Sequence, residues 1–308
     1  MNFDRTVHIS ALGTASMDEL RLLDHYPAEG RGATILDSRF ATGGTTGNLT
    51  TQAAKLGAKV HFFSQMGIDA DGDTMIADLT GQGVDCTHVE RVDELSDLSI
   101  VLVSRATGER TILWRLGPHL QLGDTIDIDA LFGADLTVLD SPDHALRRFL
   151  TDLPAHTRPA ARLLGTLTYL ASVDDPDKIE IALRHDILVG SEEEYMALTG
   201  EPKHDRALDF VHERMTGSNL RMAIMTRGEH GAEAVTRTER FATPVRTVHA
   251  VDTTGAGDSF AGAVAFAQAH RADLEFTLRF AAATASFVVA GIGAQDPQPT
   301  LDDVLAVL

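Results

Sequence analysis

Short apolar runs alternate with longer segments of helical apolar periodicity along most of this chain of 308 residues. Strand-like runs lie at residues 6–12, 59–64, 136–140, 186–189 and 222–226. Helical patterns lie at residues 48–56, 73–82, 192–199, 207–215, 258–270 and 274–289. Because strands separated by helices pair in parallel through crossovers, the pattern predicts a mainly parallel sheet with helices on both faces.

Two stretches interrupt this alternation. Residues 20–41 and 91–121 carry no helical apolar stripe but contain β-type pieces, such as SIVLV at 99–103 and RTILW at 110–114. We expect them to pair as a small separate sheet. Residues 152–177 are poorly patterned, and neither a repeat nor an obvious linker divides the chain, whose length suits one large α/β domain or two small ones.

The charge balance argues against a nucleic-acid partner. The chain has 26 basic and 45 acidic residues and a formal net charge of -19, whereas binding to a phosphate backbone needs clustered Lys and Arg. A small anionic ligand remains compatible with this charge, because a helix N-terminus is locally positive.

The chain shows no sign of export or of a membrane span. It contains one cysteine, Cys86, so no intramolecular disulfide and no thiolate metal cluster can form, which suits the cytoplasm. The N-terminus does not resemble a signal peptide. The longest nearly apolar run, residues 280–294, falls short of the roughly 20 residues that cross a bilayer.

A Gly-rich loop with a carboxylate precedes an apolar helix near the C-terminus. Residues 252–258 read DTTGAGD, and the following residues are apolar nearly all round. Glycines let a backbone approach a ligand closely, and the first N–H groups of the helix, left unpaired, form an anion site. The simpler alternative is a Gly turn in which Asp258 only caps the helix. P-loop and dinucleotide-binding glycine patterns are absent, which disfavours P-loop enzymes and dinucleotide oxidoreductases.

A second Gly-rich stretch lies about 200 residues earlier. Residues 43–58 read GGTTGNLTTQAAKLGA, and a strand-like run and the pattern Gly-x-Asp-x-x-Gly follow at 60–72. Together the two stretches resemble the N-terminal and C-terminal signatures of the ribokinase-like, or phosphofructokinase-B, sugar kinases. The resemblance extends over residues 13–299, nearly the whole chain.

The resemblance implies a fold. A member of this family has a three-layer α/β core, with a mainly parallel sheet, and a small β-sheet lid. The chain is then one ribokinase-like domain over residues 1–308, with a lid formed by discontinuous segments at about 15–42 and 91–121. A homodimer through the lid is a further expectation.

The resemblance also implies an activity, the transfer of the ATP γ-phosphoryl group to a hydroxyl of a small sugar or sugar acid. Asp258 matches the catalytic base of the family, and the backbone of Gly255, Ala256 and Gly257 matches its anion hole. Such chemistry needs positioning, stabilisation of negative charge and a base for the hydroxyl proton.

The resemblance assigns substrate contacts as well. The residues that match positions holding sugar hydroxyls are Asp18, Gly43, Gly44 and Asn48. Arg115, in the suspected lid, lies near the position where acid-sugar kinases of the family place an arginine. The simpler alternatives are a solvated loop acid for Asp18 and an exposed lid arginine for Arg115.

Nucleotide and metal contacts follow from the same resemblance. The matching nucleotide positions are Ser191, Thr226, Gly228 and Gly231, with Ser191 standing where the family has Asn. Glu194 matches a residue that organises hydrated Mg²⁺, although Ser191-x-x-Glu194 is equally a helix capping box. Asp252 and Thr254 match a monovalent-cation site, for which potassium is expected.

One family motif is missing, and other functions stay open. Many members carry Asp-x-Asn-x-Arg on a middle strand, where this chain reads LLGTLTYL at 163–170, which removes a usual indication of the substrate. The alternatives to a sugar kinase are a nucleoside kinase of the same family and a sugar- or nucleotide-binding regulator without catalysis. An intact Asp258 argues against the regulator.

Overall fold

The computed structural model describes residues 3–107, 109–157 and 160–308. Its strands are β1 (His8–Leu12), β2 (Ser16–Leu23), β3 (Ile35–Gly43), β4 (Lys59–Gly67), β5 (Val84–Val92), β6 (Leu98–Ser104), β7 (Arg110–Arg115), β8 (Leu136–Leu139), β9 (Leu163–Thr166), β10 (Ile187–Ser191), β11 (Met222–Thr226), β12 (Ala232–Thr236) and β13 (Arg240–Thr243). Its α-helices are α1 (Thr45–Lys55), α2 (Ala70–Gly81), α3 (Ile128–Phe132), α4 (His144–Thr157), α5 (Thr168–Ser172), α6 (Lys178–Leu183), α7 (Glu192–Thr199), α8 (His204–Arg214), α9 (Ala256–Ala269), α10 (Leu274–Val289) and α11 (Leu301–Leu305).

The larger sheet has nine strands within the described residues, in the order β13-β12-β11-β10-β9-β8-β1-β4-β5. The strands from β11 to β5 in this order pair in parallel, and β12 and β13 extend the sheet as antiparallel edge strands. The mainly parallel sheet predicted from the sequence is therefore confirmed.

Helices cover both faces of this sheet. Successive residues of a strand point to opposite faces, and both sets are apolar here. In β10, Ile187 and Val189 belong to the core that contains α1, α9 and α10, whereas Leu188 belongs to the core under α7 and α8. In β1, Leu12 packs in a further cluster with residues of α3 and α4. The result is a three-layer arrangement.

The smaller sheet has four strands within the described residues, in the order β3-β2-β6-β7. β2 pairs antiparallel with β3 and parallel with β6, and β6 pairs antiparallel with β7. These strands lie within or beside the two stretches without helical periodicity, as expected. Residues 91 and 92 differ from the expectation, because they end β5 at the edge of the larger sheet.

One strand of the larger sheet lies where the sequence was poorly patterned. β9 has four residues, all of them buried, and follows α4. Its sequence, LLGT, has only two adjacent strongly apolar residues, a run too short to indicate a strand. Within the described residues, no helix is both long enough and apolar enough to cross a membrane.

Candidate active site

The carboxyl ends of the central parallel strands meet the N-terminal ends of α1 and α9, which is where open α/β sheets bind ligands. The two helices pack against each other, and each begins after a glycine, Gly44 for α1 and Gly255 for α9. In the part of the chain that the structure describes, no side chain caps either N-terminus. Both helix ends therefore offer backbone N–H groups to a ligand.

Asp258, in the first turn of α9, meets Asn48 of α1. The Nδ2 atom of Asn48 donates a hydrogen bond to Oδ2 of Asp258 at 2.8 Å. Burial raises the pKa of Asp258 to about 7, the hydrogen bond from Asn48 opposes the rise, and the carboxylates of Asp140, Glu194 and Asp18 add to it. A carboxylate with a pKa near neutrality is suited to take a proton at physiological pH.

The N-terminus of α9 follows a glycine, Gly255, whose conformation and close contacts exclude a side chain. Gly255 has φ of 72°, and a Cβ atom placed there would lie 2.5 Å from the Cβ of Ala294. The N–H of Ala256 donates to the carbonyl of Thr253 at 3.3 Å. Among the described residues, the N–H groups of Gly257 and Asp258 have no backbone acceptor, and space is open beside Gly257. These two open N–H groups lie within the backbone of residues 255–258 that the resemblance matches to an anion hole.

Asp18 lies against Gly43 across the small sheet. Its Oδ1 accepts a hydrogen bond from the Ser16 hydroxyl at 2.8 Å. A Cβ atom on Gly43 would come within 2.1 Å of Oδ2 of Asp18, so only glycine leaves room for this carboxylate. Burial raises the pKa of Asp18. Asp18 and Gly43 therefore lie at the same end of the molecule as Gly44 and Asn48.

Arg115 lies elsewhere. Strand register places Asp18, Ser99 and Trp114 side by side on one face of the small sheet, whereas Arg115 pairs with Leu98 on the opposite face. There its guanidinium donates to the carbonyl of Ser96 at 3.0 and 3.1 Å and pairs with Asp71 at 3.1 Å. The structure does not bring Arg115 together with the other residues predicted to contact the substrate.

Asp140, which directly follows β8, was not among the site residues predicted from the sequence. It is fully buried and accepts hydrogen bonds from the hydroxyls of Thr45 at 2.6 Å, Thr46 at 2.8 Å and Thr166. Burial raises its pKa. The available signal was its position, because an acid at the carboxyl end of a buried strand points toward the ligand edge of a parallel sheet. Asp140 anchors the start of α1 and hence Asn48.

A cavity of about 800 Å³ lies beside the ends of β10 and β11. Its lining includes all the predicted nucleotide positions, namely Ser191, Thr226, Gly228 and Gly231. It extends to Ala256 and Gly257 at the N-terminus of α9. A ligand in this cavity therefore reaches the open N–H groups beside Asp258.

A smaller cavity of about 160 Å³ lies behind Asp258 and is also lined by Asp140 and Glu194. Glu194 takes part in the capping box that the sequence allowed as an alternative: its Oε2 accepts the N–H of Ser191 at 2.7 Å, and the Ser191 hydroxyl accepts the N–H of Glu194. Its carboxylate thus both caps α7 and forms part of the cavity wall.

The donor atoms at this cavity suit a hydrated magnesium ion. Carboxylate oxygens are ligands that Mg²⁺ accepts, and the ion usually keeps several waters. At roughly 30 Å³ for each water, the cavity has room for such an ion. Among the described residues, no group of three or more His, Cys, Asp or Glu side chains is arranged to hold a metal directly.

Asp252 and Thr254 lie together before α9. Oδ1 of Asp252 accepts hydrogen bonds from the backbone N–H of Thr254 at 2.9 Å and from its hydroxyl at 2.7 Å, and Oδ2 accepts the N–H of Gly293 at 2.9 Å. Carboxylate, hydroxyl and carbonyl oxygens are donors for a hard cation. In the structure these bonds hold the 252–254 turn against the loop after α10.

The site thus combines the carboxylate of Asp258, whose pKa is raised, with a helix N-terminus that has open N–H groups and a large cavity that leads to both. A family model described as pfkB family carbohydrate kinase matches residues 8–301. The chain belongs to this family. It is accordingly an ATP-dependent small-molecule kinase, of the class that acts on sugars or nucleosides.

Relatives and solved structures agree over nearly the full length. The chain is 28% identical to the deoxyribokinase of Salmonella typhi, over 96% of each protein. The crystal structure of a ribokinase from Thermotoga maritima is similar with a TM-score of 0.83 and 25% identity, covering 97% of this chain and 98% of that one. The structure of Arabidopsis thaliana ribokinase complexed with ribose and ATP has a TM-score of 0.85 at 24% identity, over 98% of each chain.

Proposed function

We propose that this protein transfers the γ-phosphoryl group of ATP to a hydroxyl of a small neutral sugar, with Asp258 as the general base. The observation that carries the proposal is the placement of Asp258, whose carboxylate has a pKa near 7 and lies at a helix N-terminus with open N–H groups. The base must reach the proton of the attacking hydroxyl, so it has to lie next to the position of the transferred phosphoryl group without occupying it.

In this mechanism the substrate hydroxyl lies against Asp258 while other hydroxyls bind Asp18 and Asn48. A carboxylate accepts hydrogen bonds and an amide both donates and accepts them, so together they can hold neighbouring hydroxyls. Asp258 takes the proton as the oxygen attacks the γ-phosphorus in line, and the bond from the γ-phosphorus to the β-phosphate oxygen breaks to release ADP. The N–H groups of Gly257 and Asp258 stabilise the negative charge on the transferred group.

We assign the cavity of about 800 Å³ to ATP. Its length along Ser191, Thr226, Gly228 and Gly231 and its end at Gly257 support this assignment. The similarity to a ribokinase that binds ATP and ribose points the same way.

We also propose two cation positions. Glu194 would hold Mg²⁺ through water at the smaller cavity, and the ion, when bound, neutralises charge on the phosphates. Asp252 and Thr254 would hold a monovalent cation, for which we propose K⁺, on the far side of the residue 255 turn. The single cysteine and the use of ATP fit a cytoplasmic enzyme.

A neutral substrate is favoured over a sugar acid. Asp18 and Asp140 both interact electrostatically with Asp258, whereas Arg115 lies on the other face of the small sheet and is paired with Asp71. A further negative charge about 4 Å from a carboxylate costs about 4 kcal/mol at an effective dielectric constant of 20. Among neutral sugars, a pentose or deoxypentose is our first candidate, because relatives over the full length include a deoxyribokinase and ribokinases.

The small sheet is proposed as a lid of the single domain. It carries Asp18 and Gly43, so its position decides whether the sugar hydroxyls have their partners. Closure over the substrate would exclude water, which competes as a phosphoryl acceptor.

A substrate panel with coupled ADP detection tests the proposal. We expect the highest kcat/KM for a neutral pentose or deoxypentose, with sugar acids at least 100-fold lower and nucleosides as the competing class. Replacement Asp258→Asn is expected to lower kcat by about 10²–10⁴-fold with little change in KM for ATP. Full activity of the variant, or a sugar acid as the best substrate, would contradict the proposal.

A further inference from the structure

The amide of Asn48, which donates to Asp258, is itself held from its other end. Nε2 of Gln295 donates to Oδ1 of Asn48 at 3.0 Å, and Nε2 of Gln82 donates to Oε1 of Gln295 at 3.1 Å. Asn48 and Gln295 are 4% and 6% exposed. Bulk water therefore has little access to replace these bonds, and the amides depend on one another for partners.

The three side-chain hydrogen bonds that lead to Asp258 all run in one direction. Gln82 donates to Gln295, Gln295 donates to Asn48, and Asn48 donates to the carboxylate of Asp258. An amide has its donor and its acceptor on opposite sides, so the bond that fixes one side also fixes the other. If the Asn48 amide turned over, its oxygen would face an Asp258 oxygen, and only a protonated Asp258 could form that hydrogen bond.

We propose that Gln295 is a positioning residue for the catalytic base: by donating to Oδ1 of Asn48 it keeps the Nδ2 atom of Asn48 directed at Asp258 and so favours the ionised, proton-accepting form of Asp258. This inference rests on the proposed role of Asp258. It adds a residue of the loop after α10 that does not touch Asp258 itself.

The negative charges around Asp258 disfavour its ionised form, so that form needs the hydrogen bond from Asn48. The carboxylates that face it are Asp18 of β2, Asp140 after β8 and Glu194 of α7, and each of them disfavours a further negative charge. The opposing interaction is the hydrogen bond from Asn48. The buried guanidinium of Arg147 lies behind Asp140.

The loop that carries Gln295 is fixed by its own contacts. The ammonium group of Lys55 donates to the backbone carbonyl of Gln295 at 2.6 Å and interacts with Asp296. The backbone of Gln295 is therefore held independently of its side chain. A change confined to the side chain amide is expected to leave the loop in place.

The experiment measures kcat for the best substrate of the panel between pH 5.5 and 9. Gln295→Met keeps the length of the side chain but removes the donor, and Gln295→Glu replaces the donor with an acceptor that attracts the Nδ2 atom of Asn48. We expect the acid limb of the profile to move to higher pH by about one unit, which lowers kcat about tenfold at pH 6.5. The rate should recover above pH 8.5, and KM for ATP should stay within twofold.

Gln298→Met provides the matched control. Gln298 is also 6% exposed, but its Nε2 donates to the backbone carbonyl of Asn48 at 2.8 Å and to the Ser259 hydroxyl at 3.1 Å, and not to the Asn48 side chain. This variant loses comparable buried bonds, so it is expected to lose stability without moving the acid limb. An equal shift in Gln298→Met would overturn the inference, because general packing would then explain it.

A double-mutant cycle keeps the inference testable if one variant folds poorly. In an Asn48→Leu background, Gln295→Met should cause no further shift of the acid limb, because the amide that it orients is gone. The proposal is contradicted if the acid limb does not move in folded Gln295→Met and Gln295→Glu. It is also contradicted if Gln295→Met still moves the acid limb in the Asn48→Leu background. Failure of the proposed function has a different result, since Asp258→Asn would then remain active.

Discussion

At the scale of single residues, the site depends on a carboxylate kept in an environment that disfavours its charge. Asp258 is half-buried among other carboxylates, and its pKa is raised to about 7 from an ordinary value of 3.8. A functional group held in such an environment lowers the stability of the fold, and this is a frequent feature of active sites. The loss of folding stability caused by Asp258 therefore depends on pH.

The pH dependence of stability follows from this raised pKa. Below pH 4 the Asp258 carboxyl is protonated in both states and contributes nothing. Between about pH 4 and 7 it ionises in the unfolded chain first, so stability falls as pH rises, and above 7 the loss is complete. We therefore predict that Asp258→Asn stabilises the protein by about 1–3 kcal/mol at pH 8 and by almost nothing at pH 4.

Urea unfolding at pH 4, 6 and 8 measures this difference. Asp93→Asn, which changes an exposed carboxylate, is the control and should show no such trend. A variant at position 258 that is less stable than the natural protein at pH 8 would contradict the raised pKa.

At the scale of secondary-structure elements, the N-terminal ends of α1 and α9 bring the proposed substrate and phosphate contacts together. α9 can begin where it does because Gly255 adopts φ of 72° and lies in close contact with Ala294. An L-residue with a side chain is strained in that conformation, and a side chain would also collide with the loop that carries Gln295.

Gly255→Ala is expected to separate the N-terminus of α9 from this loop. We predict a loss of about 1–3 kcal/mol in unfolding free energy and at least a 100-fold loss in kcat, since a small displacement of the base is costly. Chemical denaturation and ADP release measure the two effects. Gly81→Ala, in α2, has no atom within 4 Å of the new methyl group and should change neither quantity by much. Unchanged activity in Gly255→Ala would mean that the geometry of this turn is not required.

At the scale of the whole molecule, one face of the small sheet carries an apolar patch that is incompletely covered. Register places Leu20, Val101 and Ile112 side by side on the face that also carries Asp18 and Trp114. The aliphatic side chains are half-buried and Trp114 is 70% exposed. A patch of this kind is typical of an interaction site, and we propose that the same face of a second copy covers it.

Substitution of Val101 tests this homodimer. We expect the natural protein to show the mass of two chains by light scattering and Val101→Glu to show the mass of one, because an interfacial charge would lose its hydration. Leu113→Glu is the matched control, since Leu113 is 51% exposed on the opposite face. A monomeric natural protein, or dissociation by Leu113→Glu alone, would reject this interface.

Several features of the protein were determined by the sequence itself. The predicted ranges 222–226, 192–199 and 274–289 coincide with β11, α7 and α10, because apolar periodicity over a few residues acts locally. The two Gly-rich stretches likewise predicted that helices follow them, although α1 and α9 begin at Thr45 and Ala256, a few residues before the predicted starts at 48 and 258. The four buried residues of β9 carried no such local signal, and only the family resemblance indicated a strand there.

The tertiary structure decided which side chains meet. Strand register turned Arg115 away from Asp18, and a one-residue difference in register would have reversed that result. Asp140 and Gln295 became part of the site through hydrogen bonds to residues 94 and 247 positions away in the chain, Thr46 and Asn48. Local patterns carry no information about such pairings. The pairings form only after the sheet has ordered its strands and has brought together the N-terminal ends of α1 and α9 and the loop after α10.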